Sequence, residues 1–377
     1  MFAAPAAGAP PVELRAPRVA ATGVAIALRG SASPGAKVAV ERLRGSAWRR
    51  VRTVRADARA RFRARYVPRP ASRRLRLRAR VLADAPPGTS RSIVVRTRDV
   101  VLAAVGDVNL GDGPAGEMAA RGLRWPWLGT ARVLRGADIA FGNLECTISR
   151  RGHPVPKQFR FRGSPAALRT MRTFAGFDVL NLANNHIADF GWRAFFDTLR
   201  YVRRYGMVGV GAGGKLAAAA RPRVVTRLGL RIAFVGFSEI LPVSFFAGRE
   251  KPGTVFASPA AVRAGVTAAR RRADLVVATF HWGVQLAGRE NARQRALAAM
   301  ALRSGATAVI GAHPHVLQPI VRPSHRLVAY SLGNFVFSQG GGAVARTGVL
   351  VLRLSARGVE GARLRRATIA SARPRFD

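Results

Sequence analysis

Val100-Val101-Leu102-Ala103-Ala104-Val105-Gly106-Asp107-Val108-Asn109 places six apolar residues before a glycine, an acid and an amide. A run without alternation reads as a strand buried on both faces, which is the habit of parallel sheets covered by helices. Runs of the same kind occupy 137–141, 179–183, 232–237, 275–280, 306–310 and 328–332. Stretches of helical character at 193–205, 259–272 and 289–303 lie between several of them. Strands alternating with helices predict an α/β domain over 99–377.

The residues just past each run carry the chemistry. The first run leads into Asp107 and Asn109, the next into Asn143 and Glu145, and the third into Asn184, Asn185 and His186. A later one ends in His281, and another leads into His313-Pro314-His315. Strand ends in an α/β sheet converge on one crevice, so residues more than 200 positions apart are expected to meet. Taken singly each has an ordinary explanation: an Asp as helix cap, an Asn in a turn, a histidine satisfied in a core. Four of the six histidines beside strand ends, with two acids and several amides, do not collect there by packing preference. Carboxylate, imidazole and amide oxygen without thiolate suit Mn, Fe, Zn or Mg. Six or more ligands exceed one tetrahedral site and favour two divalent ions bridged by a carboxylate, about 3.5–4 Å apart. A single octahedral ion, with the other residues holding substrate, is the alternative.

Residues 12–98 read differently. They hold 23 Lys+Arg against 4 Asp+Glu, and stretches such as Leu75-Arg76-Leu77-Arg78-Ala79-Arg80-Val81 alternate strictly. Alternation puts one strand face in a core and the other in water. Turn signals at Ser33-Pro34-Gly35 and Pro86-Pro87-Gly88 predict a small all-β, immunoglobulin-like accessory domain. Residues 1–11 are Ala/Pro-rich, with neither basic n-region nor apolar h-region, and are expected to be disordered or a truncated N-terminus. The single cysteine, Cys146, excludes an intramolecular disulfide framework and a cysteine-based zinc site. No run of about 18 residues is free of arginine and apolar enough to span a membrane. The whole chain of 377 residues carries a formal charge of +44, and only Lys37, Lys157, Lys215 and Lys251 of its 63 basic residues are lysines. That skew fits the codon usage of a GC-rich genome; the shortage of acids does not, and points to a polyanionic partner. Nucleic acid is the weaker candidate, because the arginines are dispersed and no nucleic-acid-binding motif accompanies them.

Six ordered motifs then carry a resemblance over residues 101 to about 340: Gly106-Asp107; Asn143-Leu144-Glu145; Asn184-Asn185-His186 with Asp189 and Gly191; His281-Trp282-Gly283; Gly311-Ala312-His313-Pro314-His315-Val316; and Ser331-Leu332-Gly333-Asn334-Phe335. In these the chain resembles the CapA family of poly-γ-glutamate capsule-biosynthesis proteins, in the calcineurin-like metallophosphatase group. The resemblance implies a four-layer αββα sandwich with a two-metal centre at its edge. It implies metal ligands Asp107, Asn109 (where the group usually has His), Glu145 as the bridge, Asn185, His281, His313 and His315. His186 would act on the leaving group with Asp189 setting its tautomer, and Asn143, Asn184 and Asn334 would face substrate. The implied function is a metal-dependent hydrolase or transferase of an anionic capsule or envelope polymer, poly-γ-glutamate or a relative. It would be extracytoplasmic or envelope-associated and work with capsule-synthesis machinery. The alternatives are a non-catalytic polymer-binding protein with a structural metal, and a phosphodiesterase or phosphatase.

Overall fold

The computed structural model describes residues 11–69, 72–82, 85–240, 242–338 and 341–377. The expectation for 1–11 lies, apart from Pro11, outside the described residues. The chain folds as two compact units, one of the residues up to Val100 together with Leu228–Leu230, the other of Val101–Arg227 and Arg231–Asp377.

The first unit is all-β. Glu13–Arg15, Ile26–Ser31 and Arg61–Tyr66 form one sheet; Val19–Ala21, Ile93–Arg98, Arg74–Val81, Lys37–Arg44 and Ala47–Arg55 form another, in that order. The alternation decides what is buried: Leu75, Leu77, Ala79 and Val81 point into a core shared with Leu28, Val38, Val40, Phe62 and Val95, whereas Arg74, Arg76 and Arg80 stay in water.

The second unit is a mixed α/β body built on two large sheets. The eight-stranded one runs Val208–Val210, Val179–Asn181, Ile139–Leu144, Val100–Val108, Arg346–Ser355, Gly358–Ala370, Arg373–Phe376, with Asn334–Val336 also paired to Val100–Val108. The six-stranded one runs Arg223–Arg227, Leu230–Ser238, Leu275–His281, Ala308–Ala312, Leu327–Ala329, Ile320–Val321. Phe141 of the first sheet stacks on Phe234 of the second, ring centres 6.1 Å apart. Val105, Leu144 and Leu180 pack with Leu134, Leu168 and Phe195 of the helices Ala131–Gly136, Pro165–Thr170 and Gly191–Arg204. Val235, Val276 and Val309 pack with Val262, Val266, Leu297 and Ala301 of Pro259–Arg270 and Ala292–Arg303.

Parallel register positions the site. Asp107 is opposite Asn143, Asn143 opposite Asn181, and Asn334 pairs with Asp107 from the other side, which aligns four polar residues on four adjacent strands. In the second sheet Ser238, His281 and Ala312 are aligned, one residue before His313. Gly106 allows the closest approach, since a Cβ there would lie 1.9 Å from the Gly333 carbonyl oxygen.

Candidate metal centre

Glu145 comes directly after the strand Ile139–Leu144 and is pinned by its own N–H, which donates to the Val108 carbonyl at 2.9 Å. Its carboxylate is fully buried. Oε2 accepts from Asn143 Nδ2 at 3.2 Å. Oε1 has no hydrogen-bond partner. Around it stand three imidazole nitrogens: Nε2 of His315 at 3.7 Å, of His281 at 3.8 Å and of His186 at 4.0 Å. Those separations are too long for hydrogen bonds. For His315 and His281 they suit donors that share an ion with Glu145, because ligands about 2.0–2.2 Å from one metal lie no more than about 4.4 Å apart.

The donors fall into two groups joined by Glu145. Asp107, Glu145 and His315 form one, and Glu145, His281 and His313 the other, each with its ligand atoms within 4.8 Å of one another. Asn185 joins the second, its Oδ1 2.8 Å from His281 Nε2. His313 Nδ1 is a further buried nitrogen without a partner. His313 (φ 99°) and His315 (φ 60°) both sit in the left-handed region around Pro314. That costs non-glycine residues of order 1–3 kcal/mol each and persists where the surroundings dictate it.

The electrostatics agree with this grouping. Burial, and then the neighbouring Asp107, push the Glu145 carboxyl well above its ordinary value. Burial also pushes Asp107 upward, but His315, His281 and Glu145 together outweigh it and hold that carboxyl below the usual range. Burial lowers His313 to about 3 and His281 well below its usual value, leaving both neutral, the form that ligates a metal. Two buried carboxyl groups beside neutral imidazoles are a donor set that could hold a cation. The donor set and the two orphaned atoms fit divalent ions.

His186 lies beside this cluster. Its Nδ1 is 2.6 Å from Asp189 Oδ2, and its ring is stacked against Phe161 at 4.2 Å. Asp189 is fully buried and also accepts from the Phe161 N–H at 2.8 Å and from Lys157 Nζ at 2.6 Å. Lys157 Nζ is 3.1 Å from His186 Nδ1. Burial is the largest influence on His186 and lowers it.

Asn109 Oδ1 accepts from the Gly111 N–H at 2.7 Å, and its buried Nδ2 has no hydrogen-bond partner. Asn143, Asn184 and Asn334 are buried beside the cluster. Asn143 Nδ2 reaches Asp107 Oδ1 at 2.8 Å and Glu145, while its Oδ1 accepts from Asn181 at 2.9 Å and Asn184 at 3.3 Å. Asn184 also holds the Leu144 carbonyl at 2.8 Å and the His186 N–H at 3.0 Å. Asn334 Oδ1 lies 2.9 Å from His315 Nδ1 and its Nδ2 donates to the Val344 carbonyl, which fixes the ring with Nε2 toward Glu145.

Sequence reasoning passed over Lys157, Phe161 and Asn181. The signal for Lys157 was its survival as lysine in a chain that otherwise uses arginine. Asn181 lay within an apolar run, where an amide needs a buried partner.

The profile of the bacterial capsule synthesis protein PGA_cap family matches residues 101–339. The PGA biosynthesis protein CapA of Bacillus subtilis is 34% identical over 211 residues, covering 55% of this chain and 55% of that protein. The capsule biosynthesis protein CapA of Bacillus anthracis is 29% identical over 249 residues, 64% of this chain and 60% of that protein. A probable polyglutamine synthesis accessory protein of Mycobacterium tuberculosis is 32% identical over 230 residues, 56% of this chain and 60% of that protein. The chain thus spans between 55% and 60% of the length of these relatives. The family match runs from the strand that leads into Asp107 to just past Asn334 and takes in the whole cluster, and the chain belongs to the bacterial capsule synthesis protein PGA_cap family.

Proposed function

We propose that the chain is a metal-dependent hydrolase or transferase acting on an anionic capsule or envelope polymer, of which poly-γ-glutamate is the leading case. The observation that carries this reading is the unpartnered Glu145 Oε1 among three imidazole nitrogens. Asp107, Glu145 and His315 would hold one divalent ion, and Glu145, Asn185, His281 and His313 a second. When bound, such a pair supplies a nucleophilic water at neutral pH and neutralises charge on the oxygens of the bond being cut. His186 would give its Nε2 proton to the leaving group from the doubly protonated ring, a form that the Asp189 carboxylate at Nδ1 favours against burial. Asp189 holds the ring by Nδ1, and Lys157 balances the buried Asp189 charge. Asn334 fixes His315, and Asn143 binds the two carboxylates together.

The finer architecture belongs to the same reading. Two sheets, each packed with its own helices, support a four-layer αββα sandwich over 99–377. Two sheets around one core support an immunoglobulin-like accessory domain over 12–98. The relatives' names support work at the cell envelope alongside capsule-synthesis machinery.

The bond from the Gly111 N–H to Asn109 Oδ1 favours one second reading, a polymer-binding protein whose metal is structural. The purified chain, loaded with Mn or Fe, is to be assayed on poly-γ-glutamate and on a phosphodiester. The proposal expects turnover of one of them, lowered about 100-fold or more by His186→Ala with metal content unchanged. Turnover of neither leaves only the binding reading; turnover of the phosphodiester alone replaces the amide with a phosphoester.

A further inference from the structure

The five-stranded sheet of the first unit turns a face to water that is built from arginine. On the strand Arg74–Val81, side chains 74, 76, 78 and 80 leave one face and the apolar residues leave the other. Across the neighbouring strands Arg96 is directly opposite Arg74, and Arg50 and Arg78 flank Glu41. Alternate residues on a strand are about 6.6 Å apart, so the arginines form a row of regular spacing.

That row has a cost. Like charges directly opposite on adjacent strands destabilise a sheet, and the Arg74–Arg96 pair is such a contact. Among the described residues no carboxylate pairs with Arg74, Arg76 or Arg96. Further along the same strand the face shows what it takes. Arg78 Nε and Arg80 Nε converge on the two oxygens of Glu41 at 2.8 and 2.9 Å. Burial raises the Glu41 carboxyl, but these bonds outweigh it and hold the group below its ordinary value. Two successive outward arginines thus grip one carboxylate; the next two along the strand hold none, Arg76 Nε donating instead to the Ser92 hydroxyl at 3.0 Å.

We infer that this face is a docking surface for a linear polycarboxylate, whose successive carboxylates occupy the Arg74–Arg76–Arg96 cluster as Glu41 occupies Arg78 and Arg80. The inference rests on the reading of an anionic polymer as substrate, but concerns a surface outside the metal centre. A single-stranded nucleic acid fits less well. It calls for open aromatic rings on which bases stack, and the ring on this face, Trp48, is covered by the Arg78 guanidinium at 4.2 Å.

The test uses the full chain carrying His186→Ala, so that turnover does not enter, and fluorescently labelled poly-γ-glutamate of defined length. Arg74→Thr/Arg76→Thr/Arg96→Thr removes the cluster. Arg15→Thr/Arg29→Thr/Arg63→Thr removes the same charge from a row across the other sheet of the unit. The expected result is binding weakened about tenfold or more by the first triple variant and changed less than about threefold by the second. Relief of the Arg74–Arg96 repulsion should leave the melting temperature of the first variant at or above that of its parent, so a folding defect would show. Equal weakening by both variants would reduce the effect to net charge and overturn the inference. So would unchanged binding, or tighter binding of a length-matched oligothymidylate. Absence of turnover in the wild-type chain would count against the metal-centre reading alone.

Discussion

Glu145 Oε1 is the atom on which the account turns, and Asn334 shows how far the supporting residues matter. Asn334 Oδ1 lies 2.9 Å from His315 Nδ1. Residues behind a ligating histidine set its tautomer and aim, and their loss commonly costs 10–100-fold in metal affinity. Asn334→Ala should weaken binding at the Asp107–His315 position by about that factor, read by competition with a chelating dye. An unchanged affinity would remove Asn334 from the support of the site. The sequence made the carboxylates and histidines legible because polar residues at the ends of apolar runs stand out. It did not make the amides legible: an Asn has two donors and an acceptor whose partners are fixed by neighbours in space. Asn109 and Asn143 both stand at strand ends, yet one binds a loop N–H and the other ties two carboxylates together. Lys157 was hidden because its partner Asp189 lies 32 positions away.

At the scale of elements, buried strands were easy to find and helix ends were not. The helix expected from 193 begins at Gly191, and the one expected from 289 begins at Ala292. There Asn291 and Gln294 form a reciprocal capping box, while the carbonyls of Ala287 and Arg289 bond Gln318 instead of continuing the helix. The antiparallel strands Arg346–Ser355, Gly358–Ala370 and Arg373–Phe376 extend the first sheet and went unread. Much of Gly358–Ala370 is exposed or half-exposed, so the alternation that marks a strand is weak. One interaction of the helix Gly191–Arg204 has a measurable pH signature. Asp197 on this helix accepts from Arg151 and, at 2.7 Å, from Ser149. The Arg151 bond does most to hold its carboxyl below 3.8, against burial. The unfolded chain therefore takes up this proton at higher pH than the folded one. The stability that the pairing contributes is complete above about pH 5 and is lost as pH falls through the folded value. Asp197→Asn should flatten that acid limb in urea unfolding measured from pH 6 downward. An acid limb of unaltered steepness would show that the pair carries no linkage.

For the whole molecule, the formal charge of +44 separates into two roles. In the first unit the basic residues line sheet faces; in the second, the buried centre is made of carboxylates, amides and neutral imidazoles under a basic exterior. A polyanion is drawn to such a surface by long-range attraction, and under the proposed function the Glu145 cluster is where its bond would be cut. Composition alone showed the charge but not its division, since that depends on which side of each strand an arginine leaves. The central claim, that Glu145 is shared by two divalent ions, is tested most directly by anomalous diffraction from crystals of the chain grown with Mn. The account predicts two peaks flanking the Glu145 carboxylate, one against Asp107 and His315 and the other against His281, His313 and Asn185. A single peak, or ions that do not touch Glu145, would contradict it.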